Sequence, residues 1–319
     1  MRIVVTGANG FVGVQTVREL VGAGHTVLAL DNLRYGPWRF SAAERAGFEI
    51  AEVDIRDRKA TEQAITGFKP QAIIHLAAIH FIPECERLSD EAVAINIQGT
   101  VNLLNACPSD CRFVFASTAA VYAPNDDAHK VTDVIGPMDV YGFTKLSGEQ
   151  FVTYYAAQRG FPAVIVRLFN VVGPGETNPH IVPEILKQLR RGTRNLQLGN
   201  TAPKRDYIYV RDAARGFIAA ATQPMPSEFT GAAARGLPVV NLGSGKSYSV
   251  DEIVAFMSEI VGEKITITTD PARVRKSDRP HLLADHSELK RYFGWRSETD
   301  IHASLRETWR DPQMLEALS

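Results

Sequence analysis

Residues 2–13 read Arg2-Ile3-Val4-Val5-Thr6-Gly7-Ala8-Asn9-Gly10-Phe11-Val12-Gly13. Ile3, Val4 and Val5 form an apolar run too short for a helix, which predicts a buried strand stopping at Thr6. After Gly13 the apolar spacing becomes helical, through Val14, Val17, Leu20 and Val21. A strand that turns over glycines into a helix leaves the first helical N–H groups without partners. Those donors, with the positive end of the helix dipole, suit a pyrophosphate. Gly7 permits a tight turn, Gly10 lets the backbone approach phosphates, and Gly13 lets helix and strand pack closely. Three glycines alone are weak evidence; the strand–turn–helix context supplies the rest. The second strand, Thr26 to Leu30, ends at Asp31, about 20 residues on. A carboxylate there accepts hydrogen bonds from the adenosine ribose hydroxyls and repels a 2′-phosphate, so the expected cofactor is NAD rather than NADP.

The chain has 319 residues, 45% hydrophobic and 22% charged, a globular composition with length for one large or two moderate domains. A formal net charge of −1 gives nucleic acid or an anionic membrane no general attraction. Residue 1 runs straight into the first strand, from which no signal peptide is expected. No apolar stretch approaches the ~18 residues of a membrane helix. Cys85, Cys107 and Cys111 are an odd number with no disulfide framework, as expected of a reduced, cytoplasmic protein. They lack metal-ligand spacing, so buried thiols and no metal site are expected.

The first half alternates strands and helices. Phe48 to Val53 reads as a strand ending at Asp54, whose carboxylate is equally suited to capping a helix and to meeting an adenine amino group. Lys59–Phe68 reads as a helix, Ala72–Leu76 as a buried strand, Glu91–Ala106 as a helix carrying Asn96, and Arg112–Ala116 as another strand. Small Ala77 and Ala78 let the chain pass close to a cofactor. Successive βα units imply a doubly wound parallel sheet of Rossmann type, with ligands at the carboxyl ends of its strands. At the fifth strand's end, Ser117 and Thr118 place two hydroxyls above the dinucleotide, followed by a polar loop, Ala123 to Met138, across the mouth of the site. Tyr141 and Lys145 open a helix running to about Arg159. Four residues apart, they share a helix face, where an ammonium would lower the phenol's pKa from near ~10 and make it a base for a sugar hydroxyl. Ala163–Phe169 is a strand, and Asn170–Glu176 reads as loop. A Rossmann domain over 1–169 and a smaller α/β substrate domain over 170–319 are expected, with later segments returning to the main sheet. Between Pro271 and Arg279, the cations Arg273, Arg275, Lys276 and Arg279 suit either a solvated loop or a diphosphate clamp.

Together these stretches resemble the extended short-chain dehydrogenases/reductases, and within them the nucleotide-sugar group typified by UDP-glucose (UDP-galactose) 4-epimerases. The likeness runs over nearly the whole chain. It rests on Thr6 to Gly13, Asp31-Asn32-Leu33, Asp54-Ile55, His75-Leu76-Ala77-Ala78, Asn96 with Gly99-Thr100, and Ser117-Thr118. It continues through Tyr141 and Lys145, Asn170, Arg205-Asp206-Tyr207-Ile208, Asn241-Leu242-Gly243, and Pro271-Ala272-Arg273 to Asp278. The resemblance implies that Tyr141 is the catalytic acid/base and that Lys145 holds the nicotinamide ribose and tunes Tyr141. Thr118 would bond the sugar 4-hydroxyl, with Ser117 beside the nicotinamide. Gly7, Asn9, Gly10, Phe11, Val12 and Gly13 would cradle NAD with Asp31, Asn32, Asp54, Ile55, Leu76, Ala77, Ala78 and Asn96. Asn170, Arg205, Arg275 and Asp278 would hold UDP. The resemblance also implies a homodimer through the Glu91–Ala106 and Tyr141–Arg159 helices. The chain departs from the family pattern with His80 in place of a lysine, Cys85 of a serine and Ala123 of a glycine.

Related enzymes share oxidation at C4 and differ afterwards. Dehydratases place Asp-Glu after the Ser-Thr pair and uronate decarboxylases a Glu; this chain has Ala119 and Ala120, which leave epimerisation. Leu282 falls where some epimerases carry a bulky tyrosine, so a larger N-acetylhexosamine has room, unless Leu282 only packs in the core. The cations Arg279 and His281 equally suit a uronate. A UDP-hexose 4-epimerase is thus expected. The alternatives are an epimerase for UDP-N-acetylhexosamine or UDP-uronate, a 4-keto reductase, or a non-catalytic NAD-sensing regulator, which would not need Thr118, Tyr141 and Lys145 together.

Overall fold

A computed structural model of the chain describes residues 1–176, 178–230, 236–274 and 279–311. In chain order β1 (Arg2–Thr6), α1 (Phe11–Gly22), β2 (Thr26–Asp31), α2 (Ala42–Arg45), β3 (Glu49–Glu52), α3 (Arg58–Phe68) and β4 (Ala72–His75) come first. Next are α4 (Ile82–Arg87), α5 (Ser89–Val93), α6 (Thr100–Ala106), β5 (Arg112–Thr118), α7 (Val140–Arg159) and β6 (Ala163–Leu168). Then follow β7 (Asn170–Val172), α8 (Ile181–Arg190), β8 (Asn195–Leu198), β9 (Lys204–Tyr209), α9 (Val210–Thr222) and β10 (Val239–Leu242). The chain continues through β11 (Ser247–Tyr248), α10 (Val250–Val261), β12 (Thr266–Thr269), β13 (His281–Leu282), α11 (Ser287–Phe293) and α12 (Ile301–Arg310).

Seven strands form one parallel sheet in the order β10-β6-β5-β4-β1-β2-β3. The order reverses between β1 and β4, where neighbouring connections leave to opposite faces and open a crevice at the carboxyl ends. Side chains alternate across the sheet, as a two-residue period requires. Ile3, Val5, Ile74 and Val114 pack on one face with α1 and α9. Val4, Ile73, Phe113 and Phe115 pack on the other. A third core gathers α8, α10 and α12. There β9 pairs with β7 and β13 in parallel and with β11 antiparallel, and β8 pairs with β12.

Two expectations need correction. Asn170–Val172, read as loop, is strand β7 on Tyr207–Tyr209; its short Asn-Val-Val run carries no period until its partner is known. The Glu91–Ala106 helix is not uniform: Ala94–Gly99 between α5 and α6 is π-helical. The buried Asn96 amide explains the bulge, accepting from the N–H of Ile79 and donating to its carbonyl, both at 2.9 Å. Helices α2 and α4 were not anticipated.

Candidate active site

The glycine loop is shaped by its own backbone. Gly7 has φ +67°, and a Cβ there would lie 2.6 Å from the Ala77 nitrogen at the tip of β4. A Cβ on Gly13 would lie 2.1 Å from the Gly7 oxygen. The first turn of α1 has no side-chain cap, because Gly10 stands at the N-cap. The leading N–H groups therefore face the crevice as anion donors. Asp31, at the end of β2, accepts from the backbone N–H of Asn9 (3.0 Å) and Leu33 (2.8 Å). The Asn9 side chain ties down the next loop, donating to Pro37 O (2.9 Å) and accepting from Arg39 N–H (2.8 Å). This donor set and the close-packed glycines fit a dinucleotide.

Asp54 does not cap α3; Asp57 does, through Ala60 N–H. Asp54 instead holds Arg56 at 2.7 Å and accepts from Asn32 Nδ2 at 3.1 Å, and the Arg56 guanidinium lowers its pKa to about 2. Ile55 is buried beneath Gly99, where a Cβ would meet its side chain at 2.5 Å. Leu76 N–H bonds the Thr6 carbonyl and Ala77 N–H the Thr6 hydroxyl, so the tips of β1 and β4 are stitched together. Ala78 follows, half-buried. Asn96 also donates to Thr144 Oγ1 at 3.0 Å, joining the π segment to α7.

Thr118 and Tyr141 meet. The Thr118 hydroxyl accepts the Ala120 N–H at 3.1 Å and lies within hydrogen-bonding reach of the Tyr141 phenol. That bond uses one of the hydroxyl's two lone pairs and leaves its proton free to donate. Asp139 caps α7 through Gly142 N–H (2.7 Å), fixing the turn that carries Tyr141. Gly142 itself leaves room for the Ala120 carbonyl, which a Cβ would approach to 2.7 Å.

The electrostatic expectation for Tyr141 is overturned. Burial pushes its phenol above the ordinary value, opposed by Thr118, and Lys145 is not among the groups acting on it. Lys145 is 2% exposed; its ammonium lies 4.9 Å from the centre of the Phe115 ring, and burial lowers its pKa to about 7. Desolvation of both groups outweighs any pairing that helix spacing alone allows.

Ser117 is also differently engaged. Its hydroxyl donates to Glu149 Oε1 at 2.5 Å, and Arg167 closes a two-pronged pair with the same carboxylate at 2.9 and 2.8 Å. Glu149 and Arg167 escaped sequence reasoning. The available signal was spacing, since Tyr141, Lys145 and Glu149 recur every four residues on one face of α7. Arg167 also lies 4.8 Å over the Tyr122 ring, whose hydroxyl bonds Asn241 Oδ1 at 2.6 Å.

The other predicted residues spread along the cleft. Asn170 is exposed at the start of β7, and Arg205 is half-buried on β9 with its guanidinium on the Lys204 carbonyl. Leu282 packs among Ala119, Val121, Tyr122 and Phe169. Arg275, Lys276 and Asp278 lie outside the described residues. The cationic run divides: Arg273 pairs with Glu184 (2.7 Å) and Asp270 (3.2 Å). Arg279 is buried, donating to the carbonyls of Ala119 (3.1 Å) and Ala120 (2.8 Å). His281 is held by Ser247 Oγ (2.8 Å) and the Asp126 carbonyl. His80 contacts Asn178 (3.1 Å) and lies 6.0 Å, ring to ring, from His180, which is paired with buried Glu176. Desolvation, then His180 and Lys145, lower the His80 pKa to about 4. Cys85, Cys107 and Cys111 are free and buried.

The model of the NAD dependent epimerase/dehydratase family matches residues 3–230, from β1 through α9. The chain belongs to that family. Like other relatives in the family, a UDP-glucose 4-epimerase of Corynebacterium glutamicum is similar end to end, at 30% identity over 97% of this chain and 95% of its own length. A UDP-glucuronate 4-epimerase of Thermodesulfobacterium geofontis is 28% identical over 95% of this chain and 94% of its own length. Among solved structures, the UDP-glucose 4-epimerase of Thermotoga maritima with UDP-glucose has a TM-score of 0.85 at 26% identity, covering 97% of both chains. These relatives are NAD-dependent nucleotide-sugar epimerases in family and fold, which fits the glycine loop and the Thr118–Tyr141 pair.

Proposed function

We propose that this protein is an NAD-dependent UDP-hexose 4-epimerase, inverting C4 through a transient 4-keto sugar. The observation that carries this reading is the convergence of Thr118 and Tyr141 at the tip of β5, followed by two alanines rather than acids. A hexose 4-hydroxyl between the two would receive the Thr118 O–H and give its proton to the Tyr141 oxygen once that phenol is ionised, which the positive charge of an adjacent nicotinamide would favour against the desolvation that raises its pKa; the phenol would later return the proton. NAD, when bound there, would supply the acceptor and later the donor of the C4 hydride. Ala119 and Ala120 leave room for the ketose to turn over and supply no acid to expel a 6-hydroxyl. Lys145, with a pKa of about 7, holds the nicotinamide ribose. The loop Gly7–Gly13 with Asp31 and Asn32 holds the adenosine and diphosphate. Residues 1–169 form the cofactor domain, to whose sheet and core α9, β10 and α11 return, and the rest of 170–319 forms the domain for the nucleotide sugar, with Asn170, Arg205, Arg275 and Asp278 on the UDP. The molecule pairs as a homodimer through the Glu91–Ala106 segment and α7, which expose Val93, Phe143, Phe151 and Tyr154.

A second reading, UDP-uronate, is favoured by Arg279. It is a buried guanidinium with no carboxylate partner among the described residues, fixed beside Thr118 on the Ala119 and Ala120 carbonyls. The test is purified protein given UDP-galactose, UDP-glucuronate or UDP-N-acetylglucosamine without added NAD. Interconversion of UDP-galactose and UDP-glucose fastest of the three supports the proposal. A 4-keto-6-deoxy product or net NADH release overturns it.

A further inference from the structure

A second cleft, of about 580 Å³, opens between α1, the loop at Pro174 and Gly175, and α12. Phe11, Val14, Gln15 and Arg18 of α1 line it at helical spacing on one side. Tyr209, Arg211 and Arg310 line the other. Only Phe11 belongs to the glycine loop; Asp31, Thr118, Tyr141 and Lys145 take no part. Arg18, Arg39, Arg211 and Arg310 face Glu307 and Asp311 across this cleft. Glu307 already accepts the Tyr209 hydroxyl. Arg18 is paired with Glu44 at 2.7 Å. Arg211 and Arg310 are exposed and make no ion pair among the described residues. Arg39 is fixed in place: its Nη2 donates to the Gly175 carbonyl at 2.6 Å, against a backbone so close that a Cβ on Gly175 would lie 2.5 Å from that nitrogen. Burial and the neighbouring Arg18 charge both depress the Arg39 pKa, and Asp311 offsets them in part. With Arg18 matched by Glu44, three guanidiniums face two carboxylates among the described residues; such an excess calls for an added anion, and the planar fork of arginine matches phosphate oxygens. The Phe11 and Tyr209 rings add apolar wall, and the volume lies in the range of small-molecule sites.

We propose that this cleft binds a polyphosphate or phosphate ester, separately from the dinucleotide, and that the bound anion tightens NAD binding. The link is short. The Arg39 backbone N–H donates to Asn9 Oδ1 at 2.8 Å, and the Asn9 backbone N–H donates to Asp31 at 3.0 Å. An anion that anchors Arg39 therefore steadies the loop between α1 and Asp31. Linkage is reciprocal, so NAD must tighten the anion by the same factor.

The experiment is calorimetric titration of the NAD-loaded protein with inorganic pyrophosphate, and separately with ADP, at low ionic strength. Saturable binding is expected, weakened at least tenfold in Arg211→Met/Arg310→Met, together with slower NAD release when pyrophosphate is present. ADP binding more tightly than pyrophosphate identifies a nucleotide as the occupant; equal affinities identify the phosphate group alone. No saturable binding, unchanged binding in the variant, or displacement of NAD by pyrophosphate overturns the proposal. If the double variant melts early, Arg310→Met alone, at the exposed end of α12, decides the matter with an expected loss of about threefold or more.

Discussion

Tyr141 and Lys145 show how far a pair of side chains is set by spacing and how far by surroundings. Their shared helix face was legible from the four-residue interval. The charge state was not, because desolvation depends on Phe115 and on strand tips far away in sequence. Under the proposed mechanism, Tyr141→Phe should lower kcat by about 10²–10⁴-fold while NAD stays bound, measured by epimerase assay and cofactor fluorescence. Thr118→Ala should also cut kcat. Ser117→Ala should act mainly on thermal stability, because the Ser117 hydroxyl is spent on Glu149. Lys145 gives a pH test. Its pKa falls from 10.5 to about 7 on folding, so between those values the unfolded chain holds a proton that the folded one has lost. Stability of the dinucleotide-stripped protein should then rise with pH from about 7 to 10, by at most ~1.4 kcal/mol per unit. Urea titrations should show that rise in the parent and not in Lys145→Met. The window stops at 10, where the raised Tyr141 pKa begins to act in the opposite direction.

At the scale of elements, α7 joins the seven-stranded sheet to the candidate site. Gly148 lets it settle on Phe115, where a Cβ would sit 2.4 Å from the ring. Glu149 then ties it to β5 and β6 through Ser117 and Arg167. Removing one side of a buried, well-bonded ion pair leaves the other charge stranded, so Arg167→Met should cost ~3–5 kcal/mol in denaturant unfolding. Gly13→Ala forces a methyl against the Gly7 carbonyl and should cost at least ~1–3 kcal/mol, with loss of NAD binding. Periodicity revealed α1 and α3 because each carries apolar residues at helical spacing on its buried face. It missed α2 and α4, of four and six residues, which are too short for a stripe and lean on their neighbours. It also missed the π segment, whose cause is one buried amide reaching across to Ile79.

For the whole molecule, the order of strands explains why the predicted residues gather: the reversal between β1 and β4 lets widely separated tips share one crevice. The glycine loop, Asp31 and the β5 hydroxyls were legible because their chemistry is local. Arg279 on the Ala119 and Ala120 carbonyls was not, since that contact spans about half the chain. If the Glu91–Ala106 segment and α7 form the dimer, light scattering should give twice the chain mass, and Phe143→Glu/Phe151→Glu should give monomers. One further consequence follows from β10, which reaches its place beside β6 only after α9 and the polar stretch behind it. Until the ribosome has released residues 239–242, β6 stays a naked border of unpaired amides and carbonyls, and Tyr122 lacks the Asn241 oxygen that its hydroxyl meets. A polypeptide stopped at residue 230 would keep the Gly7–Gly13 loop, Tyr141 and Lys145, yet expose a sticky margin to its neighbours and go to inclusion bodies.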